Sequence, residues 1–185
     1  IQIARAVTGN RGVVITEHAY HGTTAATAAL SPEELGPDAL EPWVARIGGA
    51  GTLGATDAAA RVTGEVDDAF ARLRGRGHDP ALLVCDDVFA SDGIFAVPPG
   101  YLRAAYDRAR AAGALCLADE VQAGFGRVGT AFWGFAQDAV VPDIVTLGKP
   151  MGNGHPMGAV VTTPAIAVQF AERWHFFSTF AGSPV

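Results

Sequence analysis

Short, wholly apolar runs alternate with helical segments along this chain, and that alternation restricts its fold more than any other feature. A strand without a polar face must be covered on both sides, as in parallel sheets flanked by helices. The pattern therefore predicts an α/β fold of three layers around a mainly parallel sheet. The predicted strands are Gly12–Thr16, Ala81–Cys85, Ala114–Ala118, Asp143–Leu147 and Gly158–Thr162.

Helices are predicted between these strands from apolar residues at helical spacing and from proline and glycine at the helix ends. They cover Ile1–Val7 (the tail of a helix), Glu65–Arg76, Pro99–Ala112 and Pro164–Trp174. The stretch from Ser31 to about Thr63 is rich in glycine, proline and alanine and has weak periodicity. It is predicted to be loop and irregular structure.

Composition excludes several classes of partner. The net charge is −6, and no basic run offsets it, which argues against a nucleic-acid or anionic-membrane surface. No apolar run is long enough to predict a membrane span. Cys85 and Cys116 each lie in an apolar run and are expected to be buried, reduced thiols. These features together predict a cytoplasmic protein.

The only lysine of the chain is Lys149, although the chain has 13 basic residues. Arginine can replace lysine as a surface cation, but it cannot lose its proton and act as a nucleophilic amine. A lysine between a β-branched run and a glycine-rich turn therefore suggests covalent amine chemistry. The alternative is a solvated residue left by compositional drift.

Asp86, Asp119 and Lys149 all follow predicted strands, at the edge where ligands of parallel sheets collect. A carboxylate at a buried strand end needs a cationic or hydrogen-bonding partner. One suitable partner for Asp119 is a protonated ring nitrogen, and a Lys–Asp pair is the signature of pyridoxal-phosphate sites. The alternative is that Asp119 caps a loop and Glu120 is solvated.

Two weaker patterns point elsewhere. The glycines of 124–129 match G-x-G-x-x-G, but no strand leads directly into them and no apolar helix follows, so a nicotinamide site is not predicted. Glu17, His18 and His21 could suggest a metal, but no second cluster of ligands accompanies them, and no metal site is predicted. The aromatic side chain of Tyr20 could stack on a cofactor ring.

Two motifs, taken together, strongly resemble the signature of the class III, fold-type I, pyridoxal-phosphate-dependent aminotransferases. They are ADEVQAGFGRVG at 118–129 and PDIVTLGK at 142–149. The segments 20–22, 154–158 and 178–184 also fall where that family has counterparts. The resemblance covers essentially the whole chain and implies the fold of that family's large domain, with pyridoxal 5'-phosphate as cofactor.

The resemblance implies two catalytic residues. Lys149 would form the Schiff base with the cofactor and would shuttle the proton during amino transfer. Asp119 would bind the pyridine nitrogen. The substrates would be a small amine or amino acid and an oxo acid or aldehyde. Glu120 would have a structural or supporting role.

Five residues carry the other contacts that the resemblance implies. Val121 would pack on one face of the cofactor ring and Tyr20 on the other. Gln122 would donate a hydrogen bond to the phenolic oxygen, and His21 would support the cofactor. Thr179 resembles the residue that reaches the cofactor phosphate of the neighbouring subunit, which implies a homodimer with a shared active site.

Two segments of the family are expected to be missing from these 185 residues. One is the Ser/Gly-rich phosphate-binding turn before the first helix, and the other is the small domain that follows the Thr179 region. The chain is therefore expected to be a single domain, 1–185, that forms an incomplete large domain.

The pair Asp86-Asp87 stands where most amine transaminases of the family have Glu-Pro. This variant resembles a branch related to the ethanolamine-phosphate phospho-lyases, which expel phosphate from the β-carbon instead of transferring nitrogen. Asp86 is expected near Gln122, and Asp87 is expected to be structural. Three functions stay open: an aminotransferase, a phospho-lyase on an amino-alcohol phosphate, and a catalytically silent module.

Overall fold

A six-stranded sheet forms the centre of the protein, with the strand order β2-β1-β3-β4-β5-β6. We describe it from a computed structural model, which covers residues 1–35, 40–53 and 56–179. Neighbouring strands are parallel, except that β6 runs antiparallel to β5. The strands are β1 Gly12–Thr16, β2 Val44–Ile47, β3 Pro80–Asp86, β4 Leu115–Asp119, β5 Ile144–Leu147 and β6 Ala159–Thr162.

Helices cover both faces of this sheet. The long ones are α5 and α6, and several others are single turns. Their bounds are α1 Gln2–Thr8, α2 Ala25–Ala28, α3 Pro32–Leu35, α4 Ala50–Leu53, α5 Ala58–Gly75, α6 Tyr101–Ala111 and α7 Pro164–Arg173. Two 3-10 helices, Gly134–Asp138 and Lys149–Gly152, follow β4 and β5.

Two apolar cores, one on each face, follow from the alternation of side chains along the strands. Leu83 and Cys116 pack with Phe70 of α5 and Tyr106 of α6 on one face. Leu82 and Leu117 belong to the core on the opposite face, which includes Ala4 of α1. The predicted three-layer α/β fold with a mainly parallel sheet is confirmed.

The sheet register brings the ends of three neighbouring strands to one edge. Asp86 pairs with Asp119 across β3 and β4, and Asp119 pairs with Thr146 across β4 and β5. Because side chains alternate, Asp86 and Asp119 lie on one face of this edge. The next residues, Asp87 and Glu120, lie on the other.

The prediction of irregular structure from Ser31 to Thr63 was wrong in part. Strand β2 lies within it at the edge of the sheet, where a four-residue strand with an arginine gives little apolar signal. Helix α5 begins at Ala58 rather than Glu65. Its first turn is a run of alanines, which favour helix but carry no amphipathic pattern.

Both cysteines are buried and free, as expected. In the described ranges, no helix is long and apolar enough to cross a membrane.

Candidate functional site

Among the described carboxylates at the carboxyl ends of the strands, Asp119 accepts the most hydrogen bonds. Its Oδ2 lies 2.7 Å from Nδ1 of His21, and its Oδ1 accepts from the Thr146 hydroxyl at 3.1 Å and from the Val121 backbone N–H at 3.3 Å. Burial alone would raise the pKa of Asp119, but the hydrogen bond and charge of His21, with the other two donors, hold it below its usual value. Asp119 is therefore ionised inside the protein.

The position of His21 is fixed by a serine ten residues later. The backbone N–H of His21 donates to Ser31 Oγ at 2.9 Å. Ser31 Oγ in turn lies 3.1 Å from the carbonyl of Gly22 and 2.8 Å from that of Thr27. The His21 side chain is only 5% exposed, and its Nε2 has no hydrogen-bond partner within the described ranges. Among the described residues, the His21 ring therefore makes one hydrogen bond, from Nδ1 to Asp119.

Asp86 shares the face of Asp119 but is used differently. Its two oxygens accept the backbone N–H groups of Val88 at 3.1 Å and Ala90 at 2.8 Å. Burial and the charge of Asp119 raise the pKa of Asp86, and these two N–H groups offset only part of that rise. The carboxylate thus caps the turn after β3. Gln122, the expected neighbour, is exposed, and the Asp86 oxygens accept from the backbone of Val88 and Ala90 instead.

Lys149 follows β5 by two residues and begins a 3-10 helix in the left-handed region, at φ 42°. It is exposed, and within the described residues its ammonium group has no hydrogen-bond or ion-pair partner. Gly148, before it, is buried beneath Val121, whose methyl groups would lie 3.5 and 3.6 Å from a Cβ built at Gly148. Val121 thus covers the backbone that carries the lysine.

The other predicted residues differ in how closely the structure associates them with Asp119. His21 contacts Asp119 directly, and Val121 does so through its backbone N–H. Tyr20 precedes His21 and is 38% exposed. Gln122 is exposed on the turn after β4, and Thr179 is exposed in the segment after α7. Residues 180–184 of the Thr179 motif lie outside the described residues.

The glycines of 124–129 form an irregular turn. Gly126 N–H donates to the Phe132 carbonyl at 2.9 Å, and Gly129 N–H donates to the Gly126 carbonyl at 3.0 Å. The rings of Phe125, Phe132 and Trp133 pack edge to face beside it. No α-helix begins at these glycines, so they lack the context of a dinucleotide site. Among the described residues, no group of three or more His, Cys, Asp or Glu could hold a metal ion.

Sequence reasoning missed Thr146 and Ser31. Thr146 is a polar residue in an otherwise apolar strand, and this was the one available signal, since a hydroxyl there faces the neighbouring strand end. Ser31 carried no signal, because its role depends on how the 20–31 segment turns back on itself.

A largely buried aspartate at the end of one strand and a lysine just after the neighbouring parallel strand are typical of enzymes that hold pyridoxal phosphate. The comparison with known families agrees with that class. The chain belongs to the class III aminotransferase family, whose model matches residues 1–185.

Individual relatives are similar over the whole chain. An alanine–glyoxylate aminotransferase 2-like protein of Drosophila melanogaster is 38% identical over 198 residues, covering 100% of this chain and 40% of that protein. A mitochondrial alanine–glyoxylate aminotransferase 2 homolog of Arabidopsis thaliana is 38% identical over 199 residues, with 100% and 39% covered. The chain thus spans about 40% of the length of these curated relatives.

Among solved structures, an Arthrobacter phospholyase in complex with phosphoethanolamine superposes with a TM-score of 0.86. It is 39% identical, and the match covers 97% of this chain and 44% of that one. The predicted family is confirmed, and membership supports the predicted enzyme class and pyridoxal phosphate as the cofactor. Since the Arabidopsis relative is named as mitochondrial, a cytoplasmic location stays a prediction, as does the homodimer.

Proposed function

We propose that this chain supplies the cofactor-binding core of a pyridoxal-phosphate-dependent aminotransferase. It would transfer an amino group between an amine or amino acid and an oxo acid or aldehyde. The observation that carries the proposal is the Asp119 carboxylate, kept ionised inside the protein at the same sheet edge that Lys149 follows. Family membership supports it independently.

The hydrogen bonds of Asp119 fit a protonated ring nitrogen. An ionised carboxylate offers about four lone-pair positions. Donors from His21, Thr146 and Val121 occupy part of that capacity and leave room for one more. The bound cofactor supplies an electron-withdrawing ring, and pairing with Asp119 keeps its nitrogen protonated.

Lys149 is proposed to hold the cofactor covalently through its amine. When a substrate amine has taken its place, the freed neutral amine would take a proton from the substrate carbon and would return it in amino transfer. Its lack of an ion-pair partner among the described residues leaves the amine available for both tasks. Gly148 and Val121 set the position of the backbone from which the lysine extends.

The remaining roles are proposed from the same site. Val121 and Tyr20 would enclose the ring, Gln122 would donate to its phenolic oxygen, and His21 would keep Asp119 ionised and oriented. Thr179 would reach the cofactor phosphate of a second subunit, so the working enzyme would be a homodimer. Its exposure in the single chain is consistent with a contact to a partner subunit.

A second candidate function has its own support. The Arthrobacter phospholyase is described with phosphoethanolamine and matches this chain at a TM-score of 0.86. With the same lysine and aspartate, a phospho-lyase would remove the substrate proton at Lys149 and release phosphate from the neighbouring carbon. The two reactions differ in product, since one takes up water and releases phosphate, ammonia and an aldehyde, and the other converts an oxo acid into an amino acid.

The test begins with cofactor attachment. The purified protein is mixed with pyridoxal phosphate, reduced with borohydride and mapped by peptide mass spectrometry. We expect the label on Lys149 and none in Lys149→Arg, which keeps the charge but cannot form the imine. Wild-type protein without label at Lys149 would contradict the proposal.

Product assays then separate the candidates. Amino transfer to an oxo acid supports the aminotransferase, whereas phosphate release from phosphoethanolamine supports the phospho-lyase. A labelled protein that gives neither product would support the silent module and contradict both activities.

A further inference from the structure

A second pair of carboxyl groups lies on the face of the sheet opposite Asp119. Asp87 follows β3 and Glu120 follows β4, and both residues are fully buried, each with 0% of its surface exposed. They belong to the face covered by α5 and α6, not to the face that carries the cofactor residues. Two buried acids side by side need an explanation, because an unpaired buried charge is strongly unfavourable.

Glu120 is well supplied with donors. Its Oε2 accepts the backbone N–H of Gly134 and its Oε1 that of Phe135, each at 2.9 Å. Its backbone also joins the neighbouring segments, donating to the Thr146 carbonyl at 3.0 Å and accepting from Gly124 at 2.9 Å. Glu120 therefore ties the turn after β4 to β5 and to the 3-10 helix at Gly134–Asp138.

Asp87 has the opposite surroundings. Neither of its oxygens meets an N–H or hydroxyl donor within the residues that the structure describes. The side chain that acts on it most strongly is the Glu120 carboxyl group, which follows the neighbouring strand on the same face. The charges that act most strongly on Asp87 are those of Glu120, Asp86 and Asp119, and all of them are negative.

The uncharged polar groups around Asp87 do not stabilise a negative charge on it. Tyr106 of α6 is close enough for the charge of Asp87 to raise the pKa of its phenol, on top of the effect of burial, yet its hydroxyl has no partner among the described residues. Cys85, on the same strand, has its pKa raised by burial and by Asp87 in the same way. Gln137 Nε2 donates to the backbone carbonyls of Asp87, at 3.4 Å, and Gly134, at 3.1 Å, and not to the Asp87 carboxyl group.

Packing around the pair leaves no room for it to separate. A Cβ built at Gly134 would lie 2.7 Å from Asp87 Cβ and 3.4 Å from Glu120 Oε1. The glycine backbone is therefore pressed against both acids. Glu120 already accepts two backbone N–H groups, so the atoms left to satisfy are the Asp87 oxygens, and a proton on Asp87 could be donated to the Glu120 carboxylate.

We infer that Asp87 keeps its proton at neutral pH and donates a hydrogen bond to the Glu120 carboxylate, so that the pair positions the turn carrying Val121 and Gln122. Asp87 is thus a positioning residue that acts through Glu120 and touches neither cofactor nor substrate. The link to the cofactor rests on the proposed function, whereas the proton itself does not.

The pair makes stability depend on pH with a definite sign. Burial and the neighbouring negative charges raise the pKa of Asp87 well above its usual value. As the pH rises above about 4, the unfolded chain releases this proton and the folded protein keeps it. Wild-type stability therefore falls across the window between the two pKa values. Asp87→Asn removes that loss, because an amide donates without titrating.

The test compares Asp87→Asn and Asp87→Ala with wild type, with Asp107→Asn, an exposed residue of α6, as the matched control. Melting temperatures of the cofactor-free protein are measured from pH 5 to 9. We expect Asp87→Asn to gain on wild type as the pH rises, and Asp87→Ala to melt about 5 °C lower at neutral pH. The control should follow wild type throughout.

A second measurement detects the proton and the positioning role. Infrared spectra of wild type should show a protonated carboxyl band that is missing in Asp87→Asn. Pyridoxal-phosphate affinity should fall about tenfold in Asp87→Ala, a change of about 1.4 kcal/mol, and stay within about twofold in Asp87→Asn.

The outcomes separate this inference from the proposed function. If Asp87→Asn tracks wild type at every pH and the carboxyl band persists, the shared proton is wrong. If the pH effect and the band behave as expected but Asp87→Ala binds cofactor normally, the positioning role is wrong. A protein that shows both signatures of the proton but no labelling at Lys149 supports the carboxyl pair and contradicts the proposed cofactor site.

Discussion

Asp119 and Asp87 lie at the same edge of the same sheet, yet their surroundings hold them in opposite states of ionisation. Asp119 meets His21, Thr146 and a backbone N–H, and its pKa is held below the usual value. Asp87 meets an acidic neighbour and no donor among the described residues, and its pKa is raised. Asp87 is fully buried and the Asp119 side chain is only 13% exposed, so burial opposes the charged form of both and cannot explain the opposite shifts.

The contrast shows that the partners of a buried carboxyl group decide its charge. Burial opposes the charged form in both cases, and only donors or positive charge can reverse it. On one face of the sheet the donors come from three separate segments. On the other face the backbone donors are already used by Glu120. One edge can therefore present a fixed negative charge to a ligand and keep a proton on the opposite face.

The most direct test of the different charges of Asp119 and Asp87 is to make the same substitution at both sites. We expect Asp119→Asn to lower transaminase activity about 1000-fold, or about 4 kcal/mol, because an amide cannot stabilise a protonated ring nitrogen. Asp87→Asn, the matched variant, should keep nearly full activity at neutral pH. Steady-state kinetics of both variants give the answer. Equal losses would mean that the two aspartates do not differ in charge.

Gly134 tests how tightly the carboxyl pair on the opposite face is packed. A Cβ there would lie 2.6 Å from Ala123 Cβ and 2.7 Å from Asp87 Cβ, closer than real Cβ contacts occur. We expect Gly134→Ala to lower the free energy of unfolding by about 2–3 kcal/mol, measured by urea denaturation. Gly64→Ala is the control, because a Cβ at Gly64 meets nothing within 4 Å. A Gly134 variant as stable as the Gly64 variant would show that the pair has room to move.

His21 tests the donors on the cofactor face. Its hydrogen bond and charge oppose the effect of burial on Asp119, so in His21→Leu the pKa of Asp119 should rise. Wild-type Asp119 is ionised above its lowered pKa and protonates only as the pH falls through it. The pH below which cofactor affinity falls, the acidic limb of the binding profile, should therefore be higher in the variant. Affinity near neutral pH should be about tenfold weaker.

Titrations of pyridoxal-phosphate binding between pH 4 and 8 would measure that shift. Glu33→Gln serves as the control, since Glu33 pairs only at 3.9 Å with the exposed His18. An acidic limb that stays in place in His21→Leu would mean that Thr146 and the Val121 N–H suffice to keep Asp119 ionised.

Much of the fold could be predicted from the sequence, for a physical reason. The central strands have no polar face, so their apolar runs identify them directly. Strand β2 and the first turns of α5 were not predicted, because an edge strand needs fewer apolar residues and a run of alanines has no amphipathic pattern. At those places tertiary contacts, not the local pattern, select the structure.

The candidate site was predicted less completely. Asp119 and Lys149 could be identified from their residue types and their places after strands. Thr146 and Ser31 could not, because their roles depend on contacts formed only after folding. The roles of Lys149, Gln122, Tyr20 and Thr179 toward the cofactor stay predictions until labelling and binding are measured.

The sequence alone therefore determined the layered α/β architecture, the single lysine and the acids that follow the buried strands. Only the tertiary structure decided which acid is charged. His21 is 98 residues from Asp119 in the chain and Thr146 is 27 residues away, yet both donate to it. Since a pKa depends on the groups within a few ångströms in space, no local pattern in the sequence could distinguish Asp119 from Asp87.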